Sequence, residues 1–270
     1  MTHEPSRFIS SYGDGGHIKW SQFAANFPED RGVSGISGKK ACQFCYSLVF
    51  CLYVKGKNMI TKSAVFDETL KNYLGQVGQM ELKSLESKLG VEIEKDEVIV
   101  PFFGKPYRVS AEGVIDPSGK QPPLEISVVL CKYLLLCPKT NPIADQWVSY
   151  RDFKDSGPLT SYFFNSVEQP VAKHFSGRLD ELKESCKMLG GFQPYIKLSY
   201  ELSMQFNLLP KIPVLLLFND EDDEFPSHCS ILFEMRAEKY LDAECLAILG
   251  MLLSVYLRKR TEKELHIKYE

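Results

Sequence analysis

The chain has 270 residues, 44% hydrophobic and 25% charged, with 32 Lys/Arg against 35 Asp/Glu and a formal net charge of −3. These proportions exclude a collagen-like, disordered or disulfide-dense chain and supply enough apolar side chains for a core that needs no staples. With charges so nearly balanced and no stripe of Lys/Arg, no nucleic-acid partner is expected.

Eight cysteines stand at positions 42, 45, 51, 131, 137, 186, 229 and 245. Most of the last five fall in apolar runs, where Cys behaves as a small hydrophobe, and their scatter indicates reduced thiols and a cytoplasmic protein.

In chain order, residues 1–40 show no sustained period, because Gly, Ser, Asp and Pro punctuate them too often. The stretch GVSGISGKK has Val33 where a phosphate-binding loop needs Gly, and Lys40 where it needs Ser or Thr. The apolar run ACQFCYSLVFCLYV at 41–54 is shorter than the ~20 residues that span a bilayer. No small-residue cleavage site follows it, and Phe50 precedes Cys51 where a lipoprotein needs a small residue, so no membrane attachment is expected. Cys42, Cys45 and Cys51 supply three thiols without a visible fourth ligand. Lys55-Gly56 can only be encoded AAR-GGN, which resembles a bacterial ribosome-binding site just upstream of the Met59 codon. The expectation is that residues 1–58 are a disordered leader or a misassigned start, that 59–260 form a single domain, and that 261–270 are a polar tail.

From Met59 the periods become legible. Phe66, Leu70, Tyr73 and Leu74 predict an amphipathic helix. Leu82, Leu85 and Leu89 predict a second, closed by Gly90 in a left-handed cap. EVIVPFFGKPYRVSAEGVIDPSG alternates short β-branched or aromatic runs with turn residues, the pattern of an antiparallel meander. After Pro122-Pro123, LEISVVLCKYLLL is apolar nearly all round and predicts a buried helix. Pro170 interrupts the helical pattern of LTSYFFNSVEQPVAKHF. Leu179, Leu182, Cys186 and Leu189 predict a helix stopped by Gly190-Gly191.

SYELSMQFN alternates apolar and polar from Tyr200 to Phe206 and predicts a half-buried strand, while VLLLF predicts a strand buried on both faces. SILFE predicts a third strand. Asp242 is read as the cap of a last helix, with Glu244 in its first turn and Arg258 to Arg260 in its last. The fold class is α+β, an antiparallel sheet packed against several helices.

Between VLLLF and SILFE lies FNDEDDEFPSHCS, the densest cluster of chemical groups in the chain. Asp220, Asp222, Asp223, Glu224 and His228 are the candidate ligand or partner-binding residues. A calcium loop of the EF-hand kind would need Gly at Phe225 and Glu at Ile231, so the acids do not match that template. A softer set would join carboxylates to His228 or Cys229 around zinc or iron, but strand alternation sends those two side chains to opposite faces. Phe225 is expected to fold back under the turn as an anchor, with Pro226 fixing the exit into the next strand. The catalytic residues and cofactors stay unassigned. His174 and His228 are the two histidines placed for general-base work.

Several blocks together resemble one family: WVSYRDF at 147–153, LGG at 189–191, LPKIPVLLLFNDEDDEFP at 209–226, ILFE at 231–234 and YLDAECLAILG at 240–250. They are similar to the domain of unknown function numbered 3786, found in bacteria and archaea that are mostly anaerobes, over about residues 64–258. The resemblance marks Trp147, Arg151, Phe225 and Pro226 as structural motif positions. Some relatives are similar in carrying an N-terminal cysteine-rich iron–sulfur module of the kind seen in corrinoid proteins. Cys42, Cys45 and Cys51 lack that module's glycines and closer third-cysteine spacing, so the resemblance carries no cluster to this chain. By family analogy alone it implies a non-enzymatic binding or accessory module in anaerobic metabolism, with a protein partner in a corrinoid or iron–sulfur context. The alternative is a metal-dependent enzyme using the acids at 220–224.

Overall fold

A computed structural model describes residues 64–143 and 146–267. The expectations for the first 58 residues, and with them Cys42, Cys45 and Cys51, lie outside the described residues. Helix α1 (Ala64–Val77) buries Leu70 and Leu74 on one face, as their spacing predicts. The stretch expected as a second α-helix is instead a 3-10 turn (Leu82–Ser84) followed by a π turn (Glu86–Gly90). A segment this short cannot repay α-helix nucleation by itself, and packing of Leu85 and Leu89 decides its shape. Gly90 closes it at φ +70°, the left-handed cap expected.

The meander forms as β1 (Glu92–Glu94), β2 (Glu97–Phe102), β3 (Lys105–Ser110) and β4 (Gly113–Ile115), antiparallel and in sequence order. Phe103 and Gly104, both at positive φ, make the two-residue turn between β2 and β3. Helix α2 (Leu124–Leu135) is buried on nearly every side, as its composition requires.

The second sheet has the order β5-β8-β7-β6, all antiparallel, from β5 (Trp147–Ser149), β6 (Leu202–Leu209), β7 (Ile212–Asn219) and β8 (His228–Glu234). β7, apolar at every expected position, is central and buried from Ile212 to Phe218. β6 starts two residues later than its alternation suggested, since Tyr200 lies outside it and is 37% exposed. Among the described residues two sheets therefore stand where the sequence indicated one, within the same α+β class.

Helices α3 (Gly157–Phe163) and α4 (Gln169–Phe175) are joined by a π turn (Phe164–Glu168) rather than broken. Pro170 brings no N–H and its ring crowds the preceding turn. The widened turn absorbs both, with the Gln169 N–H donating to the Phe164 carbonyl. Helix α5 (Leu179–Met188) ends at Gly190, φ +80°, with Leu182 and Cys186 buried.

The last helix, α6 (Ala243–Ile267), packs against α2, α3, α4 and α5 and forms the axis of the core. Asp242 caps it as expected, its Oδ1 accepting the Cys245 N–H at 3.0 Å. Because the helix continues to Ile267, Arg258 to Arg260 do not occupy its last turn, and Arg258 Nε instead donates to the Ser254 carbonyl at 3.2 Å.

A backbone bond links the two sheets, and a buried tyrosine bridges their neighbouring turns. The Phe103 N–H donates to the Leu208 carbonyl at 2.9 Å. The buried Tyr133 hydroxyl donates to the Leu89 carbonyl at 2.7 Å and accepts the Lys211 N–H at 3.1 Å.

Candidate functional site

The acidic segment is the connection between β7 and β8, as its position in the sequence indicates. Two of its carboxylates, Asp220 and Asp222, are engaged by nearby backbone N–H groups. Asp220 Oδ1 accepts the N–H of Gly177 at 2.8 Å and of Glu221 at 2.9 Å, which pins the connection to the α4–α5 junction. Gly177 is at φ +67°, a conformation that glycine adopts without strain. The Asp220 N–H donates to Glu201 Oε2, and Ser227 Oγ donates to the Ala172 carbonyl at 3.0 Å. Asp222 Oδ1 accepts the N–H of Glu224 at 2.8 Å and of Phe225 at 2.7 Å, and those two bonds hold its carboxyl below the ordinary aspartate range. Asp222 thus acts as an Asx turn that shapes the loop tip.

Phe225 corrects the sequence reading: it does not fold under the turn but is 66% exposed. The anchoring assigned to it falls to Asp220 and Ser227, whose partners lie in neighbouring elements and could not be read from local sequence. Pro226 is exposed beside it, and Asp223 and Glu224 point into solvent. His228 is exposed while Cys229 is buried, as strand alternation requires. Among the described residues, no group of three or more His, Cys, Asp or Glu side chains is arranged to hold a metal ion.

Trp147 and Arg151 are not brought to this turn. Trp147 pairs with Glu234 at the far end of β8, and the Arg151 side chain is 75% exposed on the turn after β5. His174 packs its ring against Phe175, with centroids 4.7 Å apart.

Two buried polar groupings escaped the sequence reading. Glu168, at the end of the π turn, accepts the Ile231 N–H at 2.9 Å where β8 has run past the end of β5. Burial raises its carboxyl pKa, against the opposing pull of that hydrogen bond and the Arg151 charge. The nearby Cys229 thiol is fully buried and its pKa lies well above the ordinary value, first from desolvation and then from the Glu168 charge. Burial pushes the Cys131 thiol up to about 12 and raises Cys186 as well, so these are protonated core groups rather than nucleophiles.

The second grouping ties three helices. Lys132 of α2 pairs with Asp242 at the start of α6 and sits 5.9 Å from the Tyr73 ring of α1. Glu244 is mostly buried beside them. Desolvation raises its pKa first, then the Asp242 charge, with Lys132 opposing and Asp155 adding to the rise. Asp155 is held at φ +63°. A signal for this site was present in the sequence: Lys132 is the only basic residue of α2, whose other polar side chains are Glu125 and Ser127.

A shallow groove of about 420 Å³ between the end of α1 and the meander is lined by Val77, Met80, Lys83 and Lys95, away from both groupings and from the acidic turn. The described residues define an α+β protein with two four-stranded antiparallel sheets and a buried helical core, displaying a stiffened acidic connection. The chain belongs to the family described as Domain of unknown function (DUF3786), whose model matches residues 81–256. No curated protein and no solved structure is significantly similar to it. Among the described residues, no helix is long and apolar enough to cross a membrane.

Proposed function

We propose that this chain is a non-enzymatic binding module that presents the β7–β8 connection to a partner protein with a basic surface, serving as an accessory factor in anaerobic metabolism. The observation that carries the reading is an exposed Phe225 held among exposed carboxylates on a loop whose shape its own side chains maintain. An aromatic framed by carboxylates offers a partner an apolar anchor, and a ring of like charge steers an oppositely charged surface toward it. Asp220 and Asp222 spend their oxygens on backbone N–H groups, which leaves Glu221, Asp223 and Glu224 to meet the partner. Preorganisation of this kind lowers the ordering cost of association.

The setting in anaerobic metabolism rests on the family resemblance and not on the geometry. A corrinoid or iron–sulfur protein is the partner expected from it.

The test is a photo-crosslinking amino acid at position 225 of the full chain in the cells that make it, with position 143, also exposed, as control. The expected result is one dominant adduct, specific to position 225, weakened several-fold by Asp223→Asn with Glu224→Gln and by added salt. Equal adducts from both positions would overturn the reading. So would stoichiometric metal in anaerobically purified protein that is lost with Asn/Gln at 220–224, which would point to the metal-dependent alternative.

A further inference from the structure

Large apolar side chains that stay in water are unevenly spread over the surface. Among the described residues ten are exposed, and five of them, Met188, Phe192, Tyr195, Ile196 and Tyr200, fall in the stretch 188–200 that leads from α5 into β6. Exposed apolar side chains scattered singly are ordinary, but crowding of this degree marks an interaction surface.

The rings stand on a held backbone. Phe192 exchanges both backbone bonds with Gln205 of β6, its N–H donating at 2.9 Å and its carbonyl accepting at 2.7 Å. Just before it the Gly191 N–H donates to the Cys186 carbonyl at 2.8 Å, and a Cβ on Gly191 would lie 2.7 Å from the Phe206 ring. At the other end the Glu201 N–H donates to Asn219 Oδ1 at 3.1 Å, and Glu201 Oε2 accepts the Asp220 N–H. Those two bonds fasten the loop to the start of the acidic β7–β8 connection, so the aromatic and acidic stretches meet at one end of the sheet. From Gln205 to Glu201 the chain rises roughly 13 Å, the reach of a short extended peptide.

Charge and ring chemistry together specify the occupant. Within 192–201 the one cation, Lys197, is balanced by Glu201, while 220–224 holds five acids. A partner complementary to the two stretches is therefore cationic. A guanidinium stacks on an aromatic face, meets carboxylates through a planar fork and is less strongly hydrated than an ammonium. We propose that the loop 192–200 and the acidic connection form one docking surface for an extended, arginine-bearing segment of the partner protein, its guanidinium groups seated on the exposed rings of the loop. The inference rests on the reading of Glu221, Asp223 and Glu224 as partner-facing and adds the loop to them.

The test uses two short fluorescent peptides, one alternating Arg with Ser and one Lys with Ser, because an extended chain sends alternate side chains to one side. Fluorescence anisotropy with the full chain at low ionic strength should show the Arg peptide bound about fivefold tighter than the Lys peptide. Tyr195→Ser with Tyr200→Ser should weaken the Arg peptide by a similar factor and erase its preference. Tyr195 is fully exposed, so Tyr195→Ser alone repeats the measurement without disturbing the fold. Asp223→Asn with Glu224→Gln should weaken both peptides alike and leave the preference for Arg. Loss in the acid variant with none in the tyrosine variants would overturn the loop's part and leave the acidic turn standing. Loss in the tyrosine variants alone would overturn the reading of the acidic turn, and the joint surface with it. Equal binding of the two peptides, or binding of neither, would overturn the assignment of an arginine-bearing segment.

Discussion

The close crossing of α6 over α3 makes Gly250→Ala the most exacting test of the core. A Cβ on Gly250 would lie 2.5 Å from Phe163 Cε2 and 2.8 Å from Cζ, closer than side chains pack. Ordinarily this substitution in a helix interior gains about 1 kcal/mol from propensity. Here the ring has nowhere to go: Phe163 is 2% exposed, stacked on Tyr150 at 4.3 Å and 5°, and near Phe233 at 6.1 Å. The Tyr150 ring is held in turn by its hydroxyl, which donates to the Ala243 carbonyl at 2.9 Å. Overpacking at a site that cannot yield costs about 2–3 kcal/mol. The net is then a loss of about 1–2 kcal/mol, or roughly 2–8 °C in Tm for a domain of this size. Urea unfolding should show a lower midpoint with an unchanged slope. Phe163→Leu should cost less in the Gly250→Ala background than alone, a favourable coupling of at least ~0.5 kcal/mol. A Gly250→Ala protein as stable as the parent, or additive effects of the two changes, would refute the packing argument.

Glu168 gives a pH-dependent prediction. Its folded pKa is raised by burial above the unfolded value of about 4.3. The stability it confers is therefore present below about pH 4.3 and is lost as pH rises through the folded value. Glu168→Gln keeps an acceptor for the Ile231 N–H but cannot ionise, so it should gain on the parent as pH rises from 4 to 7, and parallel urea profiles would contradict this. Glu168→Ala leaves that N–H without its acceptor and should cost ~1–3 kcal/mol. Lys132→Met removes the cation that pairs with Asp242 and opposes the rise of the Glu244 pKa. With the Asp242 side chain 30% exposed, the cost should be about 1–3 kcal/mol, below the ~3–5 of a fully buried pair. Asp242→Asn in the same chain should recover part of it, by thermal unfolding at pH 7.

Legibility in the sequence followed the range of the interactions involved. The central burial of β7, the meander, the Gly90 and Gly190 stops and the Asp242 cap all come from neighbours in the chain, and local pattern displayed them. Phe225 was misread because nothing local says whether a loop is anchored by an apolar side chain or by carboxylates bonded to Gly177 and Glu221. The Glu168 and Lys132 groupings were missed for the same reason. Glu168 meets Ile231 63 positions away, and Lys132 meets Asp242 110 positions away.

The amino-acid sequence alone determined the α+β class, the place of the acidic connection and the family resemblance, since periodicity, turn residues and short motifs are local properties. Tertiary structure decided that the strands form two sheets and that Pro170 is absorbed in a π turn. It also decided that two of the five clustered acids, Asp220 and Asp222, accept backbone N–H groups and stiffen the loop. Each of those outcomes depends on which distant groups a buried N–H, ring or carboxylate meets, and desolvation makes that choice only after the chain has packed.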